Sequence, residues 1–227
     1  MRHSFYYRGG CILIPDWEIE RREMVEVQMR RRGIQDARLL RALEEIPREE
    51  FVPPDARLLA YGDDPLPIGC GQTVSQPYMT ALMTELLELT GAENVLEVGT
   101  GSGYHAAVLG ALAATVVTVE LIPALAAVAR RNLARTGRDA NILVIAGDGS
   151  LGYPQLAPYD AITVAAGAPE IPTPLLDQLN DPGRLVIPVG ERRDQELRVI
   201  WKRNGAIESR VASLCRFVPL RGEEGWR

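Results

Sequence analysis

Val95-Leu96-Glu97-Val98-Gly99-Thr100-Gly101-Ser102-Gly103-Tyr104 is the stretch that decides the fold. Apolar residues around a glutamate run into a Gly-x-Gly-x-Gly loop, and an Ala/Leu-rich stretch of helical period begins at once. Glu120 then closes the next apolar run, Thr115-Val116-Val117-Thr118-Val119. The order reads as strand, glycine turn, helix and strand, with an acid at the second strand's tip. Such a unit lays a nucleotide-like cofactor across the carboxyl ends of parallel strands. Tyr104 stands where a dinucleotide-binding Gly-x-Gly-x-x-Gly loop has its third glycine. Pyrophosphate needs close approach of the helix N-terminus, which that glycine helps to provide. S-adenosylmethionine has no phosphate and needs only an open loop beside its methionine part and ribose. The spacing therefore favours it over NAD.

From residue 94 onward, short apolar runs alternate with helical patterns. Strands are expected at 94–98, 115–120, 141–146, 159–164, 184–189 and 196–202, with a last one around 211–218. Helices fit near 103–113, 123–136 and 173–180. This alternation implies an α/β fold with a mostly parallel sheet covered on both faces. The later strands follow one another with too little room for helical crossovers, so they are expected antiparallel at the edge. The expected fold is thus Rossmann-like, of the class I S-adenosylmethionine-dependent methyltransferase type: a mostly parallel seven-stranded sheet with an antiparallel edge and N-terminal helices.

Ahead of this core, 16–32 reads as one charged helix, with Ile19, Met24, Val27 and Met29 as apolar contacts and Gly33 closing it. Asp36 is placed to cap a second helix carrying Leu39, Leu40, Leu43 and Ile46, which Pro47 stops. Pro53, Pro54, Pro65 and Pro67 make an irregular connection. A polar loop follows, and Pro77 suits the first position of a helix to about Leu89. The organisation is a single compact domain: an extension over 1–15, helices and a substrate loop over 16–90, and the cofactor-binding core over 91–227.

The chain has 227 residues, enough for a sizeable core, and a formal net charge of -5, which argues against a duplex nucleic-acid surface. No apolar run reaches the length that spans a bilayer. Three scattered cysteines, Cys11, Cys70 and Cys215, suggest neither a disulfide framework nor a zinc site, and having only two histidines argues against a His-based metal centre. A cytoplasmic monomer without metal, membrane or nucleic-acid partners is expected.

The chemistry-bearing residues cluster at strand ends. The expected cofactor set is Glu97, Gly99, Thr100, Gly101, Ser102, Gly103, Glu120, Leu121, Asp148 and Gly149. A carboxylate at Glu120 can accept both ribose hydroxyls; alternatively it is an exposed acid near the helix starting at Pro123. Glu97 can meet the cofactor's amino acid end, directly or through water, or be a plain strand-end acid. Asp148, in Gly147-Asp148-Gly149, can accept from an adenine amine, or simply make a turn. Ser75 either caps the helix after Pro77 or donates a hydrogen bond to a substrate carboxylate; with no His or Lys beside it in sequence, it is not read as a nucleophile. His105 is read as structural or as part of the site rim.

Several stretches resemble the protein-L-isoaspartate (D-aspartate) O-methyltransferase family, from about Met24 to about Leu220. They are Arg32-Gly33-Ile34, Pro47-Arg48-Glu49-Glu50-Phe51-Val52-Pro53, the loop Leu66 to Tyr78 with its Gly71-Gln72-Thr73-Val74-Ser75-Gln76-Pro77, the glycine loop, and Gly147-Asp148-Gly149. Gly183 to Gly190 and Arg216-Phe217-Val218-Pro219-Leu220 complete the set. The glycine loop is shared by many methyltransferases; the Gln72–Pro77 loop and the Arg184-to-Gly190 and Phe217-to-Leu220 segments are much more specific. The resemblance implies S-adenosylmethionine as methyl donor and, as acceptor, the α-carboxylate of L-isoaspartyl or D-aspartyl residues in damaged proteins. It marks Ser75 as the active-site serine, sets Thr73, Val74 and Val218 with Ser75 against the substrate, and implies last strands rearranged relative to other methyltransferases. The methyl ester then cyclises to a succinimide that reopens partly to normal aspartyl, a repair reaction. Cys70 departs from the family pattern, which has His there. A methyltransferase with another acceptor, or a cofactor-binding adaptor without activity, are the competing readings.

Overall fold

The computed structural model describes residues 15–226. The extension expected over 1–15 lies, apart from Pro15, outside the described residues. Asp16 opens the first helix, its side chain accepting from the backbone N–H of Glu18 and Ile19. This helix, α1 (Trp17–Met24), runs on as a π turn (Val25–Met29) and a 3-10 turn (Arg30–Arg32), and Gly33 ends it at φ 96°. The π turn moves the buried stripe. Met24, Val25 and Met29 are in the core, whereas Ile19 and Val27, expected as contacts, are exposed. Helix α2 (Ala37–Glu45) is capped by Asp36 and buries Leu39, Leu40 and Leu43, with Ile46 buried just beyond its end. A partly buried pairing of Arg21 with Glu49 at 3.0 Å, with the Tyr61 hydroxyl donating to Glu49, ties α1 to the segment after Pro47.

Strands β1 (Leu66–Gly69) and β2 (Gln72–Val74) form an antiparallel hairpin that reads as loop in the sequence. Its tip runs through Gly69, Cys70 and Gly71, all at positive φ. Helix α3 (Pro77–Leu86) stops short of Leu89.

The core alternates β3 (Asn94–Val98), α4 (Tyr104–Gly110), β4 (Thr115–Glu120), α5 (Pro123–Arg135), β5 (Ile142–Ala146), β6 (Tyr159–Val164) and α6 (Thr173–Asp177). β7 (Leu179–Gly190), β8 (Gln195–Arg203) and β9 (Ala206–Cys215) follow directly. The seven strands lie in the order β5-β4-β3-β6-β7-β8-β9. β3 to β7 are parallel, and β7, β8 and β9 form an antiparallel meander at one edge. β7 starts five residues earlier than expected, across a register shift opposite Tyr159–Ala161, and this cuts α6 short. β9 is displaced toward the N-terminus of its expected span. Alternate residues of each strand feed two cores: Val95 and Val116 pack with α1 to α5, and Leu96, Val98, Val117 and Val119 pack with Leu175, Leu179 and Leu220.

Candidate active site

The reversal of strand order between β3 and β6 opens a crevice at the strands' carboxyl ends, where ligands of such sheets bind. A pocket occupies it. One wall is the glycine loop, with Gly99 to Ser102; a second is the end of β4 with Glu120, Leu121 and Ile122. The hairpin strand β2 and the turn after it supply Gln72, Thr73, Val74 and Ser75, and the C-terminal segment supplies Val218 to Arg221. Ala165 and Ala166, just past β6, and Gly149 form the floor. All the expected substrate residues and most of the expected cofactor residues thus share one cavity; Glu97, Gly103 and Asp148 do not line it.

The glycine loop is shaped by close approach. Gly101 sits at φ 55°, and a Cβ there would lie 3.1 Å from Ile68 Cδ1, so the hairpin rests directly on the loop. Gly103, at φ 90°, forms the N-cap of α4, and a Cβ would meet Leu133 and Ala129 of α5 at 3.3–3.4 Å. Larger residues would separate the loop from its supports.

Glu120 is 6% exposed rather than a solvated acid, and its carboxylate braces the loop. Oε2 accepts from Gly101 N at 2.8 Å and Oε1 from Ile122 N at 3.0 Å. Each oxygen keeps a further lone pair. Ser102 is buried on the pocket wall, and its hydroxyl has no hydrogen-bond partner among the described residues. Asp148 stands beside the pocket rather than in its lining. Its Oδ1 accepts from the N–H and hydroxyl of Ser150, and its Oδ2 accepts from Glu223 N at 2.8 Å. The carboxylate thereby anchors the C-terminal tail, and Gly149 alone of this pair faces the cavity.

Glu97 is likewise behind the wall. It is fully buried, with Thr118 Oγ1 donating to Oε2 at 2.6 Å. Burial pushes its carboxyl up to about 8, against the Thr118 hydrogen bond and helped by the nearby charge of Glu120. His105 does line the pocket, and burial pushes its imidazole down to about 4.

Ser75 does not cap α3; Gln76 takes the N-cap position without a side-chain bond, and Asp63 Oδ1 accepts from the first-turn N–H of Tyr78 at 3.2 Å. The Ser75 backbone is held from below. Arg48, fully buried, donates from Nη2 to the Ser75 carbonyl at 2.8 Å and from Nε to the Ala60 carbonyl at 2.8 Å. Its guanidinium lies over the Tyr104 ring, 4.7 Å from the centroid. One buried cation therefore connects the serine loop to the first residue of α4. Sequence reading missed Arg48; its only signal was membership of the Pro47–Pro53 segment. It also missed Ile122, Ala165 and Ala166, small or apolar wall residues without a chemical signature, and Arg221, a cation of the C-terminal segment.

The sheet, the glycine loop and the acid at the end of β4 define a class I methyltransferase fold built for S-adenosylmethionine. The sequence profile described as protein-L-isoaspartate(D-aspartate) O-methyltransferase matches residues 19–225, and the chain belongs to that family. The protein-L-isoaspartate O-methyltransferase of Methanoculleus marisnigri is 56% identical over 208 residues, covering 92% of this chain and 94% of its own. That of Hyperthermus butylicus is 52% identical over 218 residues, covering 91% and 90%. A solved protein-L-isoaspartate O-methyltransferase superposes with a TM-score of 0.80 at 32% identity, over 90% of this chain and 67% of its own. The Plasmodium falciparum structure, in complex with S-adenosyl-L-homocysteine, gives 0.76 at 28%, over 88% and 98%. The chain is thus an S-adenosylmethionine-dependent O-methyltransferase that repairs proteins containing isoaspartyl residues.

Proposed function

We propose that Ser75 donates a hydrogen bond to the α-carboxylate of an L-isoaspartyl or D-aspartyl residue and aims one of its oxygens into the pocket. The observation that carries this reading is the shared cavity: Thr73, Val74, Ser75 and Val218 face the glycine loop and Glu120 across a single opening.

The residues present fit the cofactor. Glu120 has lone pairs left for ribose hydroxyls, the buried Ser102 hydroxyl is without a partner, and the glycine loop is open. Gly99, Thr100, Gly101, Ser102, Glu120, Leu121 and Gly149 would hold it, with Glu97, Gly103 and Asp148 supporting from behind. The bound group supplies an activated methyl on a sulfonium. A carboxylate acceptor is ionised at neutral pH and needs no general base. What remains for the protein is orientation and exclusion of water. Ser75 orients the acceptor, Arg48 holds the serine loop still, and the hairpin over Gly101 shields the opening. Thr73, Val74 and Val218 are assigned to contact with the substrate chain.

The reading extends to a monomeric, cytoplasmic enzyme with no nucleic-acid or membrane partner. A pocket completed by one chain, a net charge of -5 and scattered cysteines support it. No helix among the described residues is long and apolar enough to cross a membrane.

Ser75→Ala tests the assignment. It should lower kcat/KM on an isoaspartyl peptide about 10–100-fold, the scale of one hydrogen bond to a charged oxygen, while S-adenosylmethionine affinity barely moves. Full activity would remove Ser75 from the acceptor site.

A further inference from the structure

The cavity does not end at Ser75. Thr73, Ser75, Ala165 and Val218 also line a second, open groove that continues from it along the surface. One bank is the end of β9 and the segment after it, with Leu214, Arg216 and Phe217. The other bank comes from the N-terminal part of the chain, with Arg32, Tyr78 and Met79. Leu214 is 78% exposed, the most exposed large apolar side chain among the described residues. A chain whose acceptor carboxylate sits at Ser75 has these two banks on either side of its neighbouring residues.

The charge of this groove runs against that of the molecule. The chain carries a formal net charge of -5. The groove is lined by three exposed arginines, Arg32, Arg192 and Arg216, and by no acid among the described residues. The Arg216 side chain is 72% exposed; its Nε donates to the Arg193 carbonyl at 2.8 Å, and Asp194, itself solvated, stands 3.8 Å from Nη2. Arg32 lies over the Tyr78 ring, 3.4 Å from the centroid, and gives an N–H to Asp63, which is outside the lining. The Arg192 guanidinium is 5.1 Å from the centroid of the Trp226 ring. A guanidinium has five N–H donors, so Arg32 and Arg216 keep donors for a further carboxylate. Asp63 and Asp194 offset part of the three charges, and the groove keeps a positive balance.

We propose that this groove reads the residues flanking the damaged site and, through Arg32, Arg192 and Arg216, selects chains with Asp or Glu beside the isoaspartyl residue. The inference rests on the reading that Ser75 holds the acceptor α-carboxylate, because that reading sets the flanking residues in the groove. Two electrostatic effects oppose each other here. The long-range field of a chain at -5 favours basic partners. The arginines, in direct contact, favour acidic ones. Each exposed ion pair contributes only about two- to five-fold in affinity, so the selection is graded, and it is screened by salt. Met79, Leu214 and Phe217 offer apolar surface to the aliphatic stem of a flanking Glu.

Three isoaspartyl peptides test it, alike except for Glu, Gln or Lys on both sides of the isoaspartyl residue. At low salt, kcat/KM for the Glu peptide should exceed that for the Gln peptide by about three-fold and that for the Lys peptide by about ten-fold. In about 0.5 M salt the three should converge to within about two-fold. Arg216→Glu should move the Glu-to-Lys ratio toward lysine by about three-fold or more. A general loss of folding or of cofactor affinity scales all three rates together and leaves that ratio unmoved. Equal rates on the three peptides, a lysine preference such as net charge alone gives, or an unmoved ratio in Arg216→Glu would overturn the proposal. Fluorescence anisotropy of the same peptides, labelled, on the protein saturated with S-adenosylhomocysteine ranks them without turnover. Should none of the peptides be methylated, the acceptor reading fails; the groove proposal then stands or falls on that ranking, and the absence of a Glu preference in it overturns the proposal.

Discussion

At the residue scale, Glu120 does two jobs with one carboxylate. It holds Gly101 and Ile122 by their N–H groups and still offers lone pairs to the pocket. Glu120→Ala should weaken S-adenosylmethionine binding by roughly 1.5–3 kcal/mol, the scale of hydrogen bonds to a charged group; unchanged affinity by calorimetry would remove it from the ribose site. The Glu97 acid makes stability depend on pH in a signed way. Its pKa rises on folding from 4.5 to about 8, so the folded chain keeps a proton that the unfolded chain loses. Stability therefore falls as pH rises through that window. His105, lowered from 6.5 to about 4, acts oppositely below 6.5. The two slopes cancel between 4.5 and 6.5 and leave a net decline from 6.5 to about 8. In urea titrations Glu97→Gln should gain on wild type by about 1 kcal/mol per pH unit across that last interval; a constant difference would contradict the assignment. The places of the glycine loop after β3 and of Glu120 at the end of β4 were legible in the sequence because both are set by local spacing. Arg48 was not, since its bond to the Ser75 carbonyl spans 27 residues and an arginine normally reads as surface. Nor was the burial of Glu97 and the tail contact of Asp148, because neither leaves a local pattern.

At the element scale, the β1–β2 hairpin links the residues proposed to meet the substrate to the glycine loop. Its tip residue Cys70 is exposed and held at φ 53°, a region that side chains other than Asn, Asp and His enter at a cost. Cys70→Asn, or Cys70→His, the family's usual residue, should therefore be tolerated and raise Tm by about 1–2 °C, as a gain of roughly 0.5 kcal/mol does in a chain of this size. A fall in Tm with either would show that the thiol contributes a contact of its own. The hairpin escaped sequence reading because two short, Gly- and Pro-bearing strands carry no alternation. β9 was misplaced for a related reason: none of it is buried and its first six residues are exposed, so no apolar period marks it. The helix over 16–32 was expected correctly as a segment, but its buried side followed the π turn and not a straight helix. The parallel strands β3, β4 and β6 were legible because each is a short apolar run buried on both faces, and β5, which buries only Val144 at the sheet's edge, because its run is apolar.

At the scale of the whole molecule, the C-terminal segment closes the site. Gly167 and Leu220 pair through Gly167 N to the Val218 carbonyl and Leu220 N to the Gly167 carbonyl, both at 2.8 Å. Beyond them, Trp226 Nε1 donates to the Gly167 carbonyl at 3.0 Å and Glu223 N to Asp148. Trp226→Ala should thus loosen the wall formed by Val218 to Arg221, raising the dissociation constant for S-adenosylhomocysteine several-fold together with a lower Tm. A lower Tm with unchanged affinity would confine the tail to stability. The overall architecture followed from the alternation of elements, whereas this closure depends on contacts across some 60–75 residues that no local pattern encodes. The proposed acceptor of the methyl group is an isoaspartyl α-carboxylate held in the pocket. The most direct test is incubation with methyl-labelled S-adenosylmethionine and matched peptides containing isoaspartyl, aspartyl or neither. Base-labile label on the isoaspartyl peptide alone is the predicted result; equal label on the aspartyl peptide, or none on any, would contradict it.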